Sequence, residues 1–276
     1  MKILYLALAG GSPDHDSHQE SQEETWARNQ EPDVRVIWMH GDENLIEPRI
    51  DGNNLYLPVQ ERYENLLEKT ILGVNWALEN LEFDYLIRTN TSNYFYQPLA
   101  RMHLGKFLKS ENAAGGVIAS WRGSIQGVKK NHRYISGAGI FLSRASTQIL
   151  SSMNANEYSG VPDDVAIGYW LSLNHTKFRP IPRNNVTDFK PIWPSPQIRV
   201  KSWKYPEVTC ERMFEVDRIY KSATVDEISS AVEEFVSHEK ERCTSEKEKK
   251  KYLYTFYNVL LGKVIGNLFI RLLKKK

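Results

Sequence analysis

Short runs of apolar residues, each about the length of a β-strand, recur along the first half of the chain. They cover residues 2–9, 34–40, 84–89, 115–120 and 138–143, and they alternate with segments of helical pattern. Apolar runs separated by helices are typical of a mostly parallel sheet that is buried on both faces. We therefore predict an α/β fold, with helices flanking a mostly parallel sheet.

The clearest helical pattern occupies residues 61–80, between the second and third apolar runs. It predicts an amphipathic helix that packs on the sheet. The positions on its packing face are Tyr63, Leu66, Leu67, Thr70, Val74, Ala77 and Leu81. The run at 2–9 is short for the apolar core of a signal peptide, so we interpret it as the first strand.

A change of pattern near residue 205 divides the chain into regions. Residues 1–205 contain no internal repeat and no low-complexity linker, which predicts one α/β domain. Residues 206–244 are predicted to be a helical extension, in which Thr224 and Glu227 have the spacing of a capping box. Residues 245–276 are predicted to form a basic amphipathic helix.

The region 245–276 combines an apolar helical stripe with lysine clusters at both ends. It holds nine Lys or Arg and two Glu, a net charge of +7, so the other 244 residues carry −5, because the whole chain has +2. Such a helix is typical of one that lies on an anionic membrane surface, here through residues 250–276. The alternative is that the stripe packs on the protein body or on a second copy, as in a homodimer. The acidic body argues against nucleic-acid binding.

The composition also indicates the cellular compartment. With 276 residues, 41% of them apolar, the chain is long enough for a sizeable core. Cys210 and Cys243 make no disulfide framework and have no metal-ligand spacing with His, which favours a reducing compartment. No run of eighteen apolar residues exists. We therefore expect a cytoplasmic protein, held peripherally on the inner face of a membrane.

Two adjacent carboxylates are the strongest candidates for acid–base chemistry. Asp163 and Asp164 follow a loop containing Gly and Pro and begin a helix-like run. Adjacent carboxylates do not face one point, so one would act while the other caps the helix or orients a neighbour. Taken alone, the pair is explained more simply as a helix start.

Two pairs of glycines stand beside apolar runs. Gly10 and Gly11 follow the first run, at the edge where open α/β sheets bind nucleotides. Gly137 and Gly139 stand at the start of the fifth run and permit close approach of the backbone, although a tight turn explains them equally well. The Gly-rich fingerprint of P-loop and dinucleotide enzymes is missing.

A polar segment precedes the fifth run and has the character of a loop. Its basic and imidazole side chains are Arg122, Lys129, Lys130, His132 and Arg133. The segment would be either a mobile lid over an anionic ligand or a solvated surface loop.

Four segments together resemble, in the same order, glycosyltransferases of the GT-A fold, of the β-1,3-galactosyltransferase and Fringe type. They are QEETWARNQEPDVRVIWMHGD, YENLLEKTILGVNWALENLEFDYLIRTNTSNYF, YISGAGIFLSRAS and GVPDDVAIGYWL. The resemblance covers about residues 1–185. It implies a GT-A domain that transfers a sugar, with inversion, from a nucleotide-sugar donor, usually a UDP-sugar, to a hydroxyl of an acceptor. It also implies that Asp164 is the base and that Gly137 and Gly139 border the cleft.

The chain departs from this family where the family binds its metal. The family ends the strand corresponding to YLIRT with an acidic triplet, and this chain has Asn90-Thr91-Ser92 there; a downstream His ligand is also missing between residues 191 and 205. Divalent metal sites usually contain at least one carboxylate. We therefore expect no metal and no other cofactor.

Without a metal ion, basic side chains would have to bind the donor diphosphate. A cation about 4 Å from a phosphate charge is worth roughly 4 kcal/mol at an effective dielectric of 20. Arg88, Arg199 and Lys201 are the candidates, while Asn90 and Ser92 would bind ribose or sugar through hydrogen bonds. The acceptor would be a hydroxyl of a glycan or of a lipid-linked acceptor, as in bacterial surface polysaccharide synthesis.

A different class of protein stays open at this point. A GT-A domain without its acids could be an inactive relative that serves as a binding or assembly subunit at a membrane. Asp164, in an otherwise intact frame, favours the enzyme.

Overall fold

The computed structural model describes residues 1–28, 31–107, 112–186, 195–202 and 206–222, and five positions between 230 and 238. Most of the helix predicted from Thr224, and the whole region 245–276, lie outside the described residues. Within the described part of the chain, no helix is long and apolar enough to cross a membrane.

Helices and strands alternate along the described chain. The helices are α1 Pro13–Glu24, α2 Leu66–Asn80, α3 Gln97–Phe107, α4 Arg144–Ser151, α5 Asp163–Leu173 and α6 Pro206–Ser222. The strands are β1 Ile3–Leu8, β2 Val34–Gly41, β3 Arg49–Asp51, β4 Asn54–Leu57, β5 Tyr85–Asn90, β6 Asn93–Phe95, β7 Ala113–Gly116, β8 Ile118–Ile125, β9 Val128–Ile135, β10 Gly139–Ser143, β11 Lys177–Pro180, β12 Arg183–Asn185 and β13 Gln197–Arg199.

The main sheet contains eight of the described strands, in the order β11-β7-β10-β5-β1-β2-β4-β3. The pairs β1–β2, β1–β5, β2–β4 and β7–β11 are parallel, whereas β10 runs antiparallel to β5 and β7. The predicted α/β class, a mostly parallel sheet flanked by helices, is confirmed.

Alternation along β1 shows how the sheet is buried on both faces. Leu4 and Leu6 belong to an apolar cluster that includes residues of α2, α4 and α5. Ile3 and Tyr5 belong to the opposite cluster, which includes residues of α6. Successive strand side chains point to opposite faces, so an unbroken apolar run is what a strand between two helical layers needs.

The run predicted at 115–120 is divided in the structure. β7 ends at Gly116, whose φ is +144°, a conformation that favours glycine, and β8 begins at Ile118. The loop predicted over the following polar segment is instead the hairpin β8–β9, which turns at Gln126 and Gly127, both at positive φ. A two-residue turn with positive φ at both positions matches the twist of paired strands.

The register of the sheet gathers the predicted polar positions at one edge. Leu8 of β1 lies beside Asn90 of β5, so the turns that follow these two parallel strands are neighbours. Gly139 of β10 lies opposite Thr89. A small second sheet continues from this edge, where Arg199 of β13 lies opposite Asn93 of β6.

Candidate active site

Asp163 forms an ion pair with Arg88, a buried cation on strand β5 of the main sheet. Arg88, on β5, is 2% exposed, and its guanidinium forms a salt bridge with the Asp163 carboxylate. Its other terminal nitrogen donates to the Gly137 carbonyl oxygen at 2.5 Å. Arg88 was predicted to meet the donor diphosphate; in the structure its terminal nitrogens are engaged by Asp163 and Gly137 instead.

Asp164 meets the same loop from its other side but keeps part of its surface exposed. Its Oδ2 accepts a hydrogen bond from the Gly137 backbone N–H at 2.8 Å. Burial raises the pKa of the Asp164 carboxyl, and the negative charge of Asp163 adds to this effect. Asp163 is therefore held in an ion pair, while Asp164 is a half-buried carboxylate with increased proton affinity.

The two glycines predicted to border a cleft have packing roles in the structure. A Cβ atom on Gly137 would lie 2.7 Å from an Arg88 guanidinium nitrogen and 3.1 Å from the Asp164 Cβ. A Cβ on Gly139 would lie 2.4 Å from the Gln197 side chain, which donates to the Ala138 carbonyl at 2.7 Å. Gly137 thus lets the loop before β10 come into direct contact with Arg88 and Asp164, and Gly139 lets the start of β10 pack against Gln197.

The Asn90-Thr91-Ser92 turn is closed by its own side chains. The Asn90 Oδ1 accepts from the Ser92 N–H at 3.2 Å, from the Ser92 hydroxyl at 2.9 Å and from the Asn93 Nδ2 at 2.5 Å. Thr91 is buried. Because the side-chain oxygen of Asn90 is occupied and no carboxylate belongs to the turn, these residues do not fit the donor set of a divalent metal. Among the described residues, no group of three or more His, Cys, Asp or Glu could hold a metal ion.

The two predicted downstream cations lie next to this turn. The Val200 N–H donates to the Ser92 carbonyl at 3.1 Å, so Arg199 and Lys201 flank a residue that is bonded to the turn. Both side chains are half-buried. Burial lowers the pKa of the Lys201 ammonium, and the nearby Arg199 charge lowers it further. Two neighbouring cations with reduced hydration are suited to an anionic ligand.

The Gly10–Gly11 turn rests on an ion pair that sequence reasoning missed. Both glycines have positive φ, and a Cβ on Gly10 would lie 2.7 Å from Oε2 of Glu61. Glu61 also accepts from the Gly41 N–H at 2.5 Å and from the ammonium of Lys69 at 2.5 Å. Lys69, which is 2% exposed, donates in addition to the Ala9 carbonyl at 2.8 Å. The only signal in the sequence was a Lys on the apolar side of a helical pattern.

Two further residues at this edge were not predicted. Gln22, fully buried on α1, donates to the carbonyls of Asn90 and Asn93 at 3.2 and 2.9 Å and accepts from the Trp38 indole at 3.1 Å. Tyr63 is 73% exposed, and partial burial together with the charges of Asp163 and Asp164 raises the pKa of its phenol. An isolated Gln or Tyr carries no spacing that would reveal such a position.

No protein-family model and no curated protein matches the chain. The chain is similar in structure to a glycosyltransferase involved in the glycosylation of the major capsid of PBCV-1, with 7% identity, a TM-score of 0.49, and coverage of 78% of this chain and 99% of that one. It is similar to the mannosyltransferase PcManGT from Pyrobaculum calidifontis, solved with GDP-Man and Mn²⁺ (9% identity, TM-score 0.44, coverage 97% and 87%). It is also similar to the galactosyltransferase LgtC, solved with donor and acceptor sugar analogues (10% identity, TM-score 0.44, coverage 84% and 95%). Likenesses this distant do not assign an activity to the chain.

Proposed function

We propose that the protein is an inverting glycosyltransferase that uses a nucleotide-sugar donor, of the UDP-sugar class, and a hydroxyl acceptor. The observation that carries the proposal is the environment of Asp164. It is a half-buried carboxylate at the start of α5, it accepts from the Gly137 N–H at 2.8 Å, and burial raises its pKa. A single displacement at a sugar carbon needs one base of this kind at the acceptor hydroxyl.

In this mechanism Asp164 takes the proton of the acceptor hydroxyl. The acceptor oxygen then forms a bond to the anomeric carbon, and the bond from that carbon to the diphosphate oxygen breaks on the opposite face. Asp163 does not compete for the proton, because its carboxylate is paired with Arg88. Arg88 thus has the role of holding Asp163 and the Gly137 carbonyl, which keeps the backbone N–H of Gly137 directed at Asp164.

Arg199 and Lys201 stabilise the departing diphosphate in this proposal. They lie beside the Asn90–Ser92 turn, which stands where the resembled family carries its acidic triplet. Fixed cations directed at a developing negative charge supply the electrostatic stabilisation that such a departure requires. Asn90 and Ser92 serve mainly to hold the turn, and the Gly10–Gly11 turn offers the donor a backbone surface at the neighbouring strand end.

Chelation tests the metal-independent part of the proposal. Transfer from, or hydrolysis of, a UDP-sugar should continue at full rate in excess EDTA, because the groups opposite the diphosphate are side-chain cations. Thermal-shift measurements with a panel of nucleotide sugars, with and without EDTA, would report donor binding separately from turnover. Activity that collapses with EDTA and returns only with Mn²⁺ would contradict metal independence and would leave the transferase proposal standing.

The Asp164→Asn variant would distinguish the enzyme from an inactive binding subunit. If the protein is an inactive relative, the parent and the Asp164→Asn variant should show the same turnover, whether or not they bind donor. The half-buried state of Asp164 supports the enzyme, since part of this carboxylate stays accessible to an acceptor while Asp163 is paired with Arg88.

A further inference from the structure

The hairpin β8–β9, residues 118–135, has one face fixed against the protein body. We call this hairpin the basic ribbon. The His132 ring lies 5.2 Å from the Tyr169 ring of α5, and Tyr134 packs so closely on α5 that a Cβ on Gly168 would lie 2.6 Å from it. Ile125 and Ile135, at the two ends, are buried in the core. These contacts argue against a freely moving lid and make the ribbon a fixed platform.

The opposite face of the basic ribbon is polar and carries three exposed cations. Alternation places Arg122, Lys129 and Arg133 on the side away from α5. Ser120, Ser124 and Asn131 lie on the same face and are also exposed, whereas at the base of the hairpin Ile118 is half-buried and Ile135 is buried. Residues 118–135 contain no Asp or Glu, so no acid on either strand neutralises the three cations.

The charge of the ribbon differs from that of the rest of the body. Outside 245–276 the chain carries −5, and the ribbon contributes four cations, Lys130 included, so the remainder carries −9. An isolated positive surface on an acidic body attracts anions to one place and repels them elsewhere.

The ribbon leads directly to the candidate base. β9 ends at Ile135, and two residues later the Gly137 N–H donates to Asp164. Lys129 and Arg133 are four residues apart on one strand, a separation of roughly 13 Å at about 3.3 Å per residue. One end of a chain-like anion bound along this face would therefore lie at the base of the hairpin, next to the segment 136–137 whose Gly137 N–H bonds to Asp164.

We propose that the exposed face of the basic ribbon binds an anionic acceptor glycan, one that carries repeated carboxylate or phosphate groups. The ribbon directs the end of that glycan to Asp164. This inference rests on the proposed transferase function for the role of Asp164, but the binding itself requires neither donor nor turnover.

The test is hydrogen exchange of the full-length protein during titration with polygalacturonate oligomers, with neutral dextran as the uncharged control. Peptides from residues 118–135 should become protected with polygalacturonate and unchanged with dextran. The variant R122Q/K129Q/R133Q should raise the half-protecting concentration about tenfold, as expected for three exposed charge contacts. Lys130→Gln is the matched control, because Lys130 shares the face of His132 and Tyr134, and it should change this concentration less than twofold.

Three outcomes would overturn the inference. Protection confined to residues 245–276 would assign polyanion binding to the tail. Equal effects of the triple variant and of Arg35→Gln/Arg49→Gln/Lys177→Gln, three exposed cations outside the ribbon, would show non-specific attraction. Protection of the ribbon by vesicles of anionic phospholipid but not by polygalacturonate would make it a membrane surface. Asp164→Asn should bind polygalacturonate as the parent does, so a failure of the transferase proposal would not be mistaken for a failure of the ribbon.

Discussion

Asp163 and Asp164 are adjacent in sequence and meet different partners. The first is bound to a guanidinium buried in the sheet, and the second to a backbone N–H of the loop before β10. The first two residues of a helix project in different directions, so the fold can use one acid for structure and leave the other for chemistry. Two predictions follow from this difference, one for each acid.

Asp164→Asn should lower transfer by about 10² to 10⁴-fold, the usual contribution of a general base. Its stability near pH 7 should equal or exceed that of the parent. The pKa of Asp164 is raised in the folded state by burial, so the folded protein holds this proton more tightly than the unfolded chain does. The stabilisation that the protonated Asp164 carboxyl provides is therefore lost as the pH rises from the ordinary Asp pKa through the raised pKa of the folded state. Asn cannot ionise, so the variant does not lose stability in this way. Urea unfolding from pH 4 to pH 7, beside rate measurements, checks both parts.

Asp163→Asn should destabilise the fold by about 3 to 5 kcal/mol, because it leaves the buried Arg88 cation without its counter-charge. Urea unfolding at pH 7 measures the loss. The matched control is Glu215→Gln, which breaks the exposed Arg218–Glu215 pair on α6 and should leave the free energy of unfolding nearly unchanged. Similar losses in the two variants would show that the Arg88 pair has no special structural role.

At the scale of elements, the site depends on how α2 supports the turn after β1. Lys69 reaches from α2 to the Ala9 carbonyl and to Glu61, and Glu61 in turn accepts from the Gly41 N–H at the end of β2. Burial lowers the pKa of the Lys69 ammonium, because the cation gives up hydration. One buried side chain therefore connects α2 with the ends of two neighbouring strands.

Lys69→Met should destabilise the protein by about 3 kcal/mol, since Glu61 would remain charged and unpaired beside the glycine turn. Adding Glu61→Gln should recover part of the loss, because Gln can still accept from the Gly41 N–H without carrying a charge. Denaturant unfolding of the parent, both single variants and the double variant gives the coupling energy. Strictly additive losses would argue that the pair is not a unit.

At the scale of the whole molecule, charge is distributed unevenly. The body is acidic, and cations concentrate on the basic ribbon and in residues 245–276. We propose that residues 250–276 hold the protein on the inner face of a membrane, in the cytoplasm, because an apolar stripe between lysine clusters combines two attractions to anionic lipid.

Deletion of residues 250–276 should release the protein from vesicles that contain anionic phospholipid. A second variant, with Lys249, Lys250, Lys251, Lys274, Lys275 and Lys276 changed to Gln, keeps the apolar stripe and should bind these vesicles much more weakly than the parent does. Sedimentation with anionic and with zwitterionic vesicles measures both. If the truncated protein sediments as the full chain does, the stripe packs on the body or on a second copy instead.

Local pattern was sufficient to predict much of the architecture. Four of the apolar runs became β1, β2, β5 and β10, the run at 115–120 was divided between β7 and β8, and the helical pattern at 61–80 became α2. The positions of Asp163 and Asp164 at a helix start, and of Asn90 at a strand end, were also predicted. These features depend on periodicity and on strand and helix termini, which short stretches of sequence specify by themselves. The hairpin β8–β9 was missed, because its outer face carries charge where a loop was the simpler interpretation.

The sequence by itself determined the α/β class, the order of the apolar strands β1, β2, β5 and β10 with α2 among them, and the absence of carboxylates from the Asn90–Ser92 turn. Only the tertiary structure decided which acid is paired, because Arg88 and Asp163 are 75 residues apart and meet across β5 and α5. It also decided that Lys69 lies under the glycine turn and that the ribbon presents one basic face. Such contacts arise when the sheet brings distant strand ends together, and no local periodicity encodes a partner at that separation.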